Sequence, residues 1–385
     1  MLHIISSLGR GGAERCVVEL LRLGDRSQFS PSVVCIGSRD AYSDQIERLG
    51  VPLHHLDIKT RGVICALKEL HSLRKALLPS IVSTWLYHAD LVGTLLWLAS
   101  RRSFRLVWNV RRTIIDDEIE PLHRRVVRRL LSLLSWAPTL IIANSMRGVR
   151  SHTDFGYSPS EWCVIPNGVD THIFQASMTL RETFRRVWKI QEDEILLLCV
   201  GRLSQVKGQD RALEAYRTLR RLGRKVRLLF VGRGISSWNV DHFPGIAPPV
   251  ESEGVILIDE VSDLVGMYSA ADILVLPSRA EGHPQVVTEA LACELPVVSF
   301  DVGDVRSILD PCGATAESLT EFIAHLERFV RIPTNQRRSL GIAGREKILK
   351  SYRLESMVER FERILSGLIR GATPATASPR LLGGE

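Results

Sequence analysis

The chain has 385 residues, of which 45% are hydrophobic and 24% are charged. This length suits two domains, and this balance is ordinary for a soluble globular protein, which excludes fibrous and largely disordered classes. Seven scattered cysteines without a C-x-x-C pair favour reduced thiols over a disulfide framework or a zinc site. The net charge is +7, and residues 1–165 hold all of the excess, with 22 Lys/Arg against 15 Asp/Glu. This asymmetry indicates an anionic surface or ligand at the N-terminal half.

The N-terminus shows no sign of a secretion signal. Residues 2–7 already read as a strand, without a preceding basic segment or long apolar run. The apolar run at residues 91–99 is far shorter than the roughly 20 residues that span a bilayer. We therefore expect a cytoplasmic protein, with peripheral attachment at the inner face of the cytoplasmic membrane left open.

The first predicted unit is a strand, a glycine-rich turn and a helix. Gly9, Gly11 and Gly12 follow the strand at residues 2–7, and residues 13–23 have a helical pattern. The turn is not G-x-G-x-x-G, which favours a diphosphate or sugar over a nicotinamide cofactor near the bare backbone. Helical patterns separate further predicted strands, so a mostly parallel sheet is expected. These strands are residues 33–37, 53–56, 81–84, 106–110 and 140–143.

A basic amphipathic segment covers residues 120–136. Arg124, Arg125, Arg128 and Arg129 recur at helical spacing among Val and Leu residues. Such a helix suits an anionic membrane surface. The alternative is a core-facing helix with a solvated basic face.

A second series of strands predicts a second domain of the same kind. A Pro, Asn and Gly cluster interrupts the periodicity at residues 165–174 and marks the boundary. The strands are residues 195–200, 226–231, 255–258, 273–276 and 296–300. Residues 351–370 form a clear amphipathic helix, and the Ala-, Thr-, Pro- and Gly-rich residues 371–385 are expected to be disordered.

The chemistry centres on residues 277–298, PSRAEGHPQVVTEALACELPVV. A buried strand precedes a Gly/Pro turn and a helix, so Glu281 lies on the loop and Glu289 about one turn into the helix. Ligands bind at this edge of open α/β sheets, and a helix N-terminus there favours phosphate. A solvated loop and a surface glutamate are the alternative for these two residues alone.

Two cations follow another strand, in the sequence VGRLSQVKG at residues 200–208. Arg202 supplies a forked pair of donors and Lys207 a compact charge, a combination that suits a diphosphate. Two solvated surface cations are the alternative for the pair alone. Arg202 and Lys207 would neutralise the charge of such a diphosphate without a metal. No D-x-D motif and no cluster of residues with metal-ligand spacing occurs, so no metal is expected.

Five segments in order resemble one family. They are GRGGAE, IPNGVD, VGRLSQVKG, FVGRG and EGHPQVVTE. The chain is similar over residues 3–365 to retaining, nucleotide-sugar-dependent glycosyltransferases of the glycogen-synthase and bacterial mannosyltransferase type, called family 4 or group 1. The resemblance implies a GT-B fold, in which two Rossmann-like α/β domains face each other across a cleft and the last helix crosses back to the N-terminal domain. The expected division is residues 1–168 for the acceptor, 169–350 for the donor, 351–370 for the crossover helix and 371–385 for the tail.

The resemblance also assigns roles to residues. Glu281, Arg202, Lys207 and His88 would be catalytic, although His88 is equally explained as a packed or capping histidine. Glu289 would bind the ribose hydroxyls. The other donor-binding residues would be Gly11, Gly12, Gly201, Arg233, Gly234, Gly282, His283, Pro284 and Gln285. Two departures from the family pattern stand out: Arg112 occupies a position where relatives carry histidine, and His283 one where they carry an aromatic or aliphatic residue.

The function implied is transfer of a hexosyl group, with retention, from a nucleotide-diphosphate sugar. UDP is favoured over GDP, and the acceptor would be a glycan or polyprenyl-linked sugar in cell-surface polysaccharide or lipopolysaccharide biosynthesis. A sugar-nucleotide epimerase and a non-catalytic nucleotide-sugar-binding subunit remain alternatives. A nucleic-acid-binding protein is disfavoured despite the pI of about 9.2, because no recognised motif or stacking aromatics accompany the charge.

Overall fold

The computed structural model describes residues 1–114, 122–239, 241–243, 245–250, 253–261 and 263–371. The chain divides into two compact units. Unit 1 consists of residues 1–167 together with the C-terminal segment from Leu354, and unit 2 of residues 168–353. The predicted disorder of residues 371–385 concerns a segment of which only Gly371 is among the described residues.

Unit 1 contains a seven-stranded, wholly parallel sheet in the order β3-β2-β1-β4-β5-β6-β7. Its strands β1–β7 are Leu2–Ile5, Ser32–Cys35, Leu53–His55, Ile81–Trp85, Arg105–Val110, Leu140–Ala143 and Trp162–Val164. The helices α1–α7 are Gly12–Leu23, Ser43–Arg48, Ile58–Arg61, Val63–Leu77, Tyr87–Ala99, Leu122–Leu134 and Met146–Asp154. The predicted strands are confirmed, and β7 is an additional edge strand.

Unit 2 repeats the plan with six parallel strands in the order β10-β9-β8-β11-β12-β13. Strands β8–β13 are Ile195–Val200, Val226–Val231, Val255–Ile258, Ile273–Leu276, Val297–Phe300 and Gly313–Ala316. Helices α8–α14 are Met178–Val187, Gln209–Arg221, Val265–Ala270, Gln285–Ala292, Val305–Leu309, Leu319–Arg331 and Thr334–Ser351. The sequence predicted five of these strands and missed β13.

The last helix, α15 (Leu354–Ile369), belongs to unit 1. Its buried face packs in the same core as β1, β4 and α1, as the expected return to the N-terminal domain requires. Phe361 stacks on Trp85 at 6.0 Å, and the buried Arg111 guanidinium lies 4.9 Å from the Trp85 ring and 5.1 Å from Phe361. Tyr352, which the sequence assigned to this helix, precedes it and remains in unit 2.

Each sheet has the strand order of a doubly wound Rossmann fold. In both units the order reverses beside the first strand, between β1 and β4 in unit 1 and between β8 and β11 in unit 2. Loops that leave the carboxyl ends of these strands diverge to opposite faces, and the crevice between them is where such folds bind ligands. The fold therefore defines one candidate site in each unit.

Candidate active site

The crevice of unit 2 lies between two loops that the sequence singled out. Residues 201–208 follow β8, and residues 277–284 follow the neighbouring strand β11. Arg202 and Lys207 lie on the first loop, and Glu281 and His283 on the second. Because β8 and β11 are neighbours in the sheet, the fold brings together Lys207 and Glu281, which are 74 residues apart in the chain.

Lys207 and Glu281 are in direct contact. The Nζ atom of Lys207 donates to Oε1 of Glu281 at 2.6 Å, and the Ser278 hydroxyl donates to the same oxygen at 2.7 Å. The two charged side chains keep 27% and 12% of their exposure, so this ion pair is only partly accessible to solvent. The pair holds a cation and a carboxylate in a defined geometry at the crevice, where both can meet a polar ligand.

A second ion pair clamps the same two loops together, and sequence reasoning missed it. Arg279 forms a forked pair with Asp210, with N···O distances of 2.8 and 2.5 Å, and donates to the Gln205 carbonyl at 2.7 Å. The backbone of Arg279 also donates to the Val206 carbonyl at 2.8 Å. Because four hydrogen bonds join Arg279 to residues 205–210, the two segments that hold Lys207 and Glu281 are fixed against each other.

A glycine is required where the two loops approach. Gly208 has φ of +70° and precedes α9, and a Cβ atom there would lie 2.2 Å from the Pro277 carbonyl oxygen. Any other residue would push the loops apart and would also adopt a left-handed backbone at some cost. Gly208 therefore allows the close contact that the Lys207–Glu281 pair needs.

Gln209 is a further residue that the sequence did not single out. Its side chain is fully buried, its Nε2 donates to the carbonyls of Gly201 at 3.2 Å and Arg202 at 2.8 Å, and its Oε1 accepts from the Ser204 amide at 3.4 Å. One buried amide thus fixes the backbone of the loop on which Arg202 stands. The one feature of the sequence that could have pointed to Gln209 is its position directly after the VKG turn at residues 206–208.

The loop after β9 lies beside the loop after β8. The Leu203 amide donates to the Arg233 carbonyl at 2.9 Å, and the side chains of Arg202 and Arg233 are both exposed. Gly201 and Gly234 lie in these same two loops. Two arginines therefore reach solvent from adjacent loops at one edge of the sheet.

The loop that leads into α11 is mostly buried. Gly282, His283 and Pro284 are buried, and Gln285 begins the helix. The His283 ring, 4% exposed, lies 5.3 Å from the Tyr352 ring. The Gly282 carbonyl accepts from the Asp304 amide at 3.0 Å, which ties this loop to the start of α12. The loop at residues 277–284 is thus held in place by Tyr352 and by the Asp304 amide.

Glu289 is buried in α11, with 3% of its surface exposed. Its Oε2 accepts from the Tyr268 hydroxyl at 2.7 Å, a partner that sequence reasoning did not foresee. One carboxylate oxygen is therefore oriented by the protein. The proposed contact with ribose hydroxyls stays a prediction.

The crevice of unit 1 contains Gly11, Gly12 and His88. Gly11 caps the N-terminus of α1, and Gly12 is the first residue of that helix. The loop after β1 contacts the first turn of α5, because the Ala89 amide donates to the Ser6 hydroxyl at 3.2 Å. Leu86, between β4 and α5, has φ of 73° and ψ of 152°, a conformation that strongly favours glycine. Strain of this kind is concentrated at functional sites, and here it lies two residues before His88.

His88 is half-buried and close to other cationic or ionisable groups. Its ring lies 6.0 Å from that of His123. Burial lowers the pKa of His88 below its usual value, and His123, Arg124 and Arg112 lower that pKa further. This shift favours the neutral imidazole, which can both donate and accept hydrogen bonds.

The predicted site residues thus fall into two groups. Gly201, Arg202, Lys207, Arg233, Gly234, Glu281, Gly282, His283, Pro284, Gln285 and Glu289 belong to unit 2, and Gly11, Gly12 and His88 to unit 1. Among the described residues, no group of three or more His, Cys, Asp or Glu side chains is arranged to hold a metal ion.

Comparisons with known proteins agree with this arrangement. The family model described as Glycosyl transferases group 1 matches residues 181–347, and the model described as Glycosyltransferase Family 4 matches residues 10–173. A crystal structure of Anabaena HepE in complex with UDP-glucose covers 95% of this chain and 99% of its own, with a TM-score of 0.78 and 17% identity. The chain is thus a glycosyltransferase of the GT-B fold, and it belongs to the family 4, group 1 enzymes.

Two curated relatives match along most of their length. The capsular polysaccharide biosynthesis glycosyltransferase CapM of Staphylococcus aureus is 22% identical over 326 residues, which is 80% of this chain and 83% of CapM. A GDP-mannose-dependent alpha-(1-6)-phosphatidylinositol monomannoside mannosyltransferase of Mycobacterium tuberculosis is 25% identical over 297 residues, 72% of this chain and 71% of the relative.

Proposed function

We propose that this glycosyltransferase moves a hexosyl group from a UDP-sugar to a glycan or polyprenyl-linked acceptor, with retention, in the synthesis of a cell-surface polysaccharide or lipopolysaccharide. The observation that carries the proposal is the Lys207–Glu281 pair, braced between β8 and β11, with Arg202 exposed on the same loop. The name of CapM supports the pathway, and the UDP-glucose bound to HepE supports the donor. A GDP-sugar is the competing donor, since the mycobacterial relative is GDP-mannose-dependent.

The cations of unit 2 supply the chemistry that the reaction needs. As the bond between the sugar and the diphosphate breaks, negative charge grows on the leaving phosphate, and fixed donors aimed at that charge are the largest catalytic contribution in many enzymes. Arg202 and Lys207 would take this role, and Glu281 would orient Lys207 and accept from a sugar hydroxyl. Because these cations neutralise the leaving group, we propose that no divalent metal takes part in the transfer.

Retention follows from attack on the face that the diphosphate leaves. The bond from the anomeric carbon to the phosphate oxygen breaks, the acceptor oxygen bonds to that carbon, and the acceptor proton passes to the departing phosphate. No protein nucleophile is required. His88 in unit 1 would bind a hydroxyl of the sugar or the acceptor, and a neutral ring could donate to it or accept from it.

The test begins with the donor. Calorimetry against UDP-, GDP- and ADP-sugars should show the tightest binding for a UDP-sugar. The product formed with a lipid-linked acceptor should have the same anomeric configuration as the donor, which NMR coupling constants measure. Activity should survive EDTA. Loss of activity restored only by a divalent metal would refute the metal-free mechanism, and inversion would refute the stereochemistry.

The same assay separates the alternative functions. A sugar-nucleotide epimerase would convert the donor to its epimer without any acceptor. A non-catalytic subunit would bind the donor but release no nucleoside diphosphate. Either result would contradict the proposed transfer.

A further inference from the structure

The backbone directly before His88 is strained. Leu86, which precedes the first residue of α5, has a φ of 73° and a ψ of 152°. Glycine alone adopts this region without cost, so a leucine persists there only where the surrounding structure holds it. If the turn were released, rotation at Leu86 would carry His88, two residues further on, to a different place. The contacts that hold this turn therefore determine where the His88 ring lies.

Tyr87, between Leu86 and His88, is anchored to another helix. Its side chain is 6% exposed, and its hydroxyl lies 2.9 Å from Nε2 of His152 in α7. The Nδ1 atom of His152 lies 2.7 Å from the Gly148 carbonyl oxygen, which can only accept a hydrogen bond. Nδ1 therefore carries the proton, Nε2 of the neutral ring is an acceptor, and the Tyr87 hydroxyl donates to it.

His152 is fully buried, so it is not placed to contact a ligand itself. Its ring stands nearly perpendicular to that of Tyr157, with the centroids 4.9 Å apart, and lies 6.2 Å from the ring of Trp162. Burial lowers the pKa of His152 to about 4, so Nε2 remains an acceptor at neutral pH. The ring is thus a fixed acceptor for Tyr87.

The same helix also supports the loop after β5. The hydroxyl of Ser151 in α7 accepts from the Ile114 amide at 3.3 Å. On that loop, the Arg112 guanidinium lies 5.6 Å from the Tyr87 ring, and its charge lowers the pKa of His88. The α7 helix therefore contacts both segments that meet beside His88, the loop after β5 and the first turn of α5.

Arg128 belongs to the packing around His152, which corrects one expectation from the sequence. It is one of the four arginines expected to meet an anionic surface, yet it is only 1% exposed. Its guanidinium lies 4.5 Å from the Phe155 ring, and its carbonyl accepts from the Tyr157 hydroxyl at 3.4 Å. Residues 120 and 121 of that predicted segment lie outside the described residues, and no described helix is long and apolar enough to cross a membrane.

We propose that Tyr87 and His152 are positioning residues, whose hydrogen bond holds the strained turn at Leu86 so that His88 keeps its place in the crevice of unit 1. Both side chains are buried, so they act through His88 rather than on a ligand. The inference rests on the proposed function only for its purpose, which is to place the ring that would bind a sugar or acceptor hydroxyl.

The experiment uses the full chain without donor or acceptor, so that its outcome does not depend on the proposed transfer. Isotope labelling of the histidine rings lets NMR follow their titration, and His88→Gln identifies the His88 signal among the eleven histidines. Tyr87→Phe keeps the aromatic ring and removes only the hydroxyl. The turn should then be released, so that His88 loses part of its burial and its pKa rises toward the usual value.

Tyr157→Phe is the matched control. It removes the hydroxyl of another buried tyrosine that packs on His152, and the pKa of His88 should not change. The three cationic or ionisable groups that also lower this pKa stay in place in both variants; they are His123, Arg124 and Arg112. An unchanged His88 pKa in Tyr87→Phe, or an equal rise in both variants, would overturn the proposal.

A double variant separates positioning from stability. Tyr87→Phe leaves Nε2 of His152 buried without this donor, which should lower the melting temperature. Adding His152→Phe removes both members of the bond, a change that is often nearly neutral for stability. The melting temperature should then recover toward that of the parent, whereas the His88 pKa should stay as high as in Tyr87→Phe. Recovery of both would show that Tyr87→Phe acted through general instability, and would also overturn the proposal.

Turnover distinguishes this inference from the proposed function. Tyr87→Phe should lower kcat/KM for the acceptor about fivefold, the effect of one ordinary hydrogen bond, and should cause no further loss in a His88→Ala background. An equal fall in both backgrounds would contradict a role through His88. If His88→Ala alone kept the turnover of the parent while Tyr87→Phe still raised the His88 pKa, the positioning would stand and the proposed role of His88 in transfer would be wrong.

Discussion

The ligand-binding edges of the two sheets are built differently although their strand orders agree. In unit 2 the loops after β8 and β11 are joined by the Lys207–Glu281 pair and the Arg279–Asp210 pair. In unit 1 the Ala89 amide in the first turn of α5 donates to the Ser6 hydroxyl in the loop after β1, and the strained Leu86 lies between β4 and α5. The comparison teaches that two sheets with the same strand order can differ in how ion pairs fix their ligand-binding edges. If the proposed donor binds in unit 2, the two ion pairs there would hold the loops around its diphosphate in one position.

The two units also differ in charge and exposed surface. Residues 1–165 hold the whole net charge of +7, while the rest of the chain is neutral. Eleven of the exposed large apolar residues in the described chain lie between Val63 and Trp136, in unit 1 as well. An excess of positive charge and a concentration of exposed apolar residues thus distinguish unit 1 from unit 2.

The largest effect should come from the cation at the braced edge. Lys207→Ala should lower kcat by about 100- to 1,000-fold, because one fixed donor to the leaving phosphate contributes roughly 3 kcal/mol. The measurement is steady-state release of nucleoside diphosphate.

Lys225→Ala is the control for this prediction. Lys225 is exposed in the same unit and pairs with Asp193 at 2.5 Å, so its loss also breaks an ion pair. Its turnover should stay near that of the parent. If Lys207→Ala matched this control, the unit 2 edge would not be the site of the chemistry.

The buried carboxylate of unit 2 should control donor affinity. Glu289→Gln keeps an acceptor for the Tyr268 hydroxyl but removes the negative charge, so we expect the KM for the donor to rise roughly 10- to 100-fold. Tyr268→Phe removes only that hydroxyl and should change the KM much less. Donor affinity unaffected by Glu289→Gln in calorimetry would contradict the ribose-binding role.

The ion pair between Arg279 and Asp210 should give a measurable coupling energy. Asp210 is largely buried and Arg279 is 30% exposed, so a double-mutant cycle of Asp210→Asn and Arg279→Ala should give about 1–2 kcal/mol in urea unfolding. The exposed pair Arg306–Asp301, with N···O of 2.8 Å, should couple by less than about 1 kcal/mol in the same cycle. Equal coupling energies would mean that the two loops are not braced.

The smallest effect concerns acid stability, which should distinguish the units. Burial lowers the pKa of His3 to about 3 and that of His152 to about 4, and both residues lie in unit 1. Since each folded-state pKa is depressed, the unfolded chain takes up the protons first, and stability present above pH 6.5 is lost as the pH falls below it. Each histidine should lower the free energy of unfolding by about 1.3 kcal/mol between pH 7.5 and pH 5.5.

Hydrogen exchange measured across this pH range tests that prediction. Exchange at β1 should accelerate more than exchange at β8, and His3→Gln should reduce the difference, whereas His242→Gln at a partly exposed position of unit 2 should not. Parallel acceleration in both sheets would contradict the assignment to buried histidines.

The sequence predicted most strands because apolar runs at regular spacing reveal a parallel sheet. The two strands that were missed lie at the edges. Trp162–Val164 has three residues, and Gly313–Ala316 is composed of small residues and threonine, so neither shows a buried apolar run. Their positions follow from pairing with β6 and β12, which is a tertiary property.

The candidate site was only partly predictable for the same reason. Lys207 and Glu281 stand in recognisable motifs, but Arg279 and Asp210 meet only because β8 and β11 are adjacent in the sheet. On α6 both sides of the helix are rich in valine and leucine, so periodicity alone did not tell which side faces the core. The structure shows that Arg128 turns inward while Leu133 turns outward.

Hydrogen exchange with and without a saturating UDP-sugar tests the central claim, that the braced edge of unit 2 holds the donor diphosphate. The account predicts protection in residues 201–209 and 281–289, and its loss in Lys207→Ala at the same donor concentration. Protection confined to residues 9–14 and the start of α5, with residues 201–209 unchanged, would contradict it.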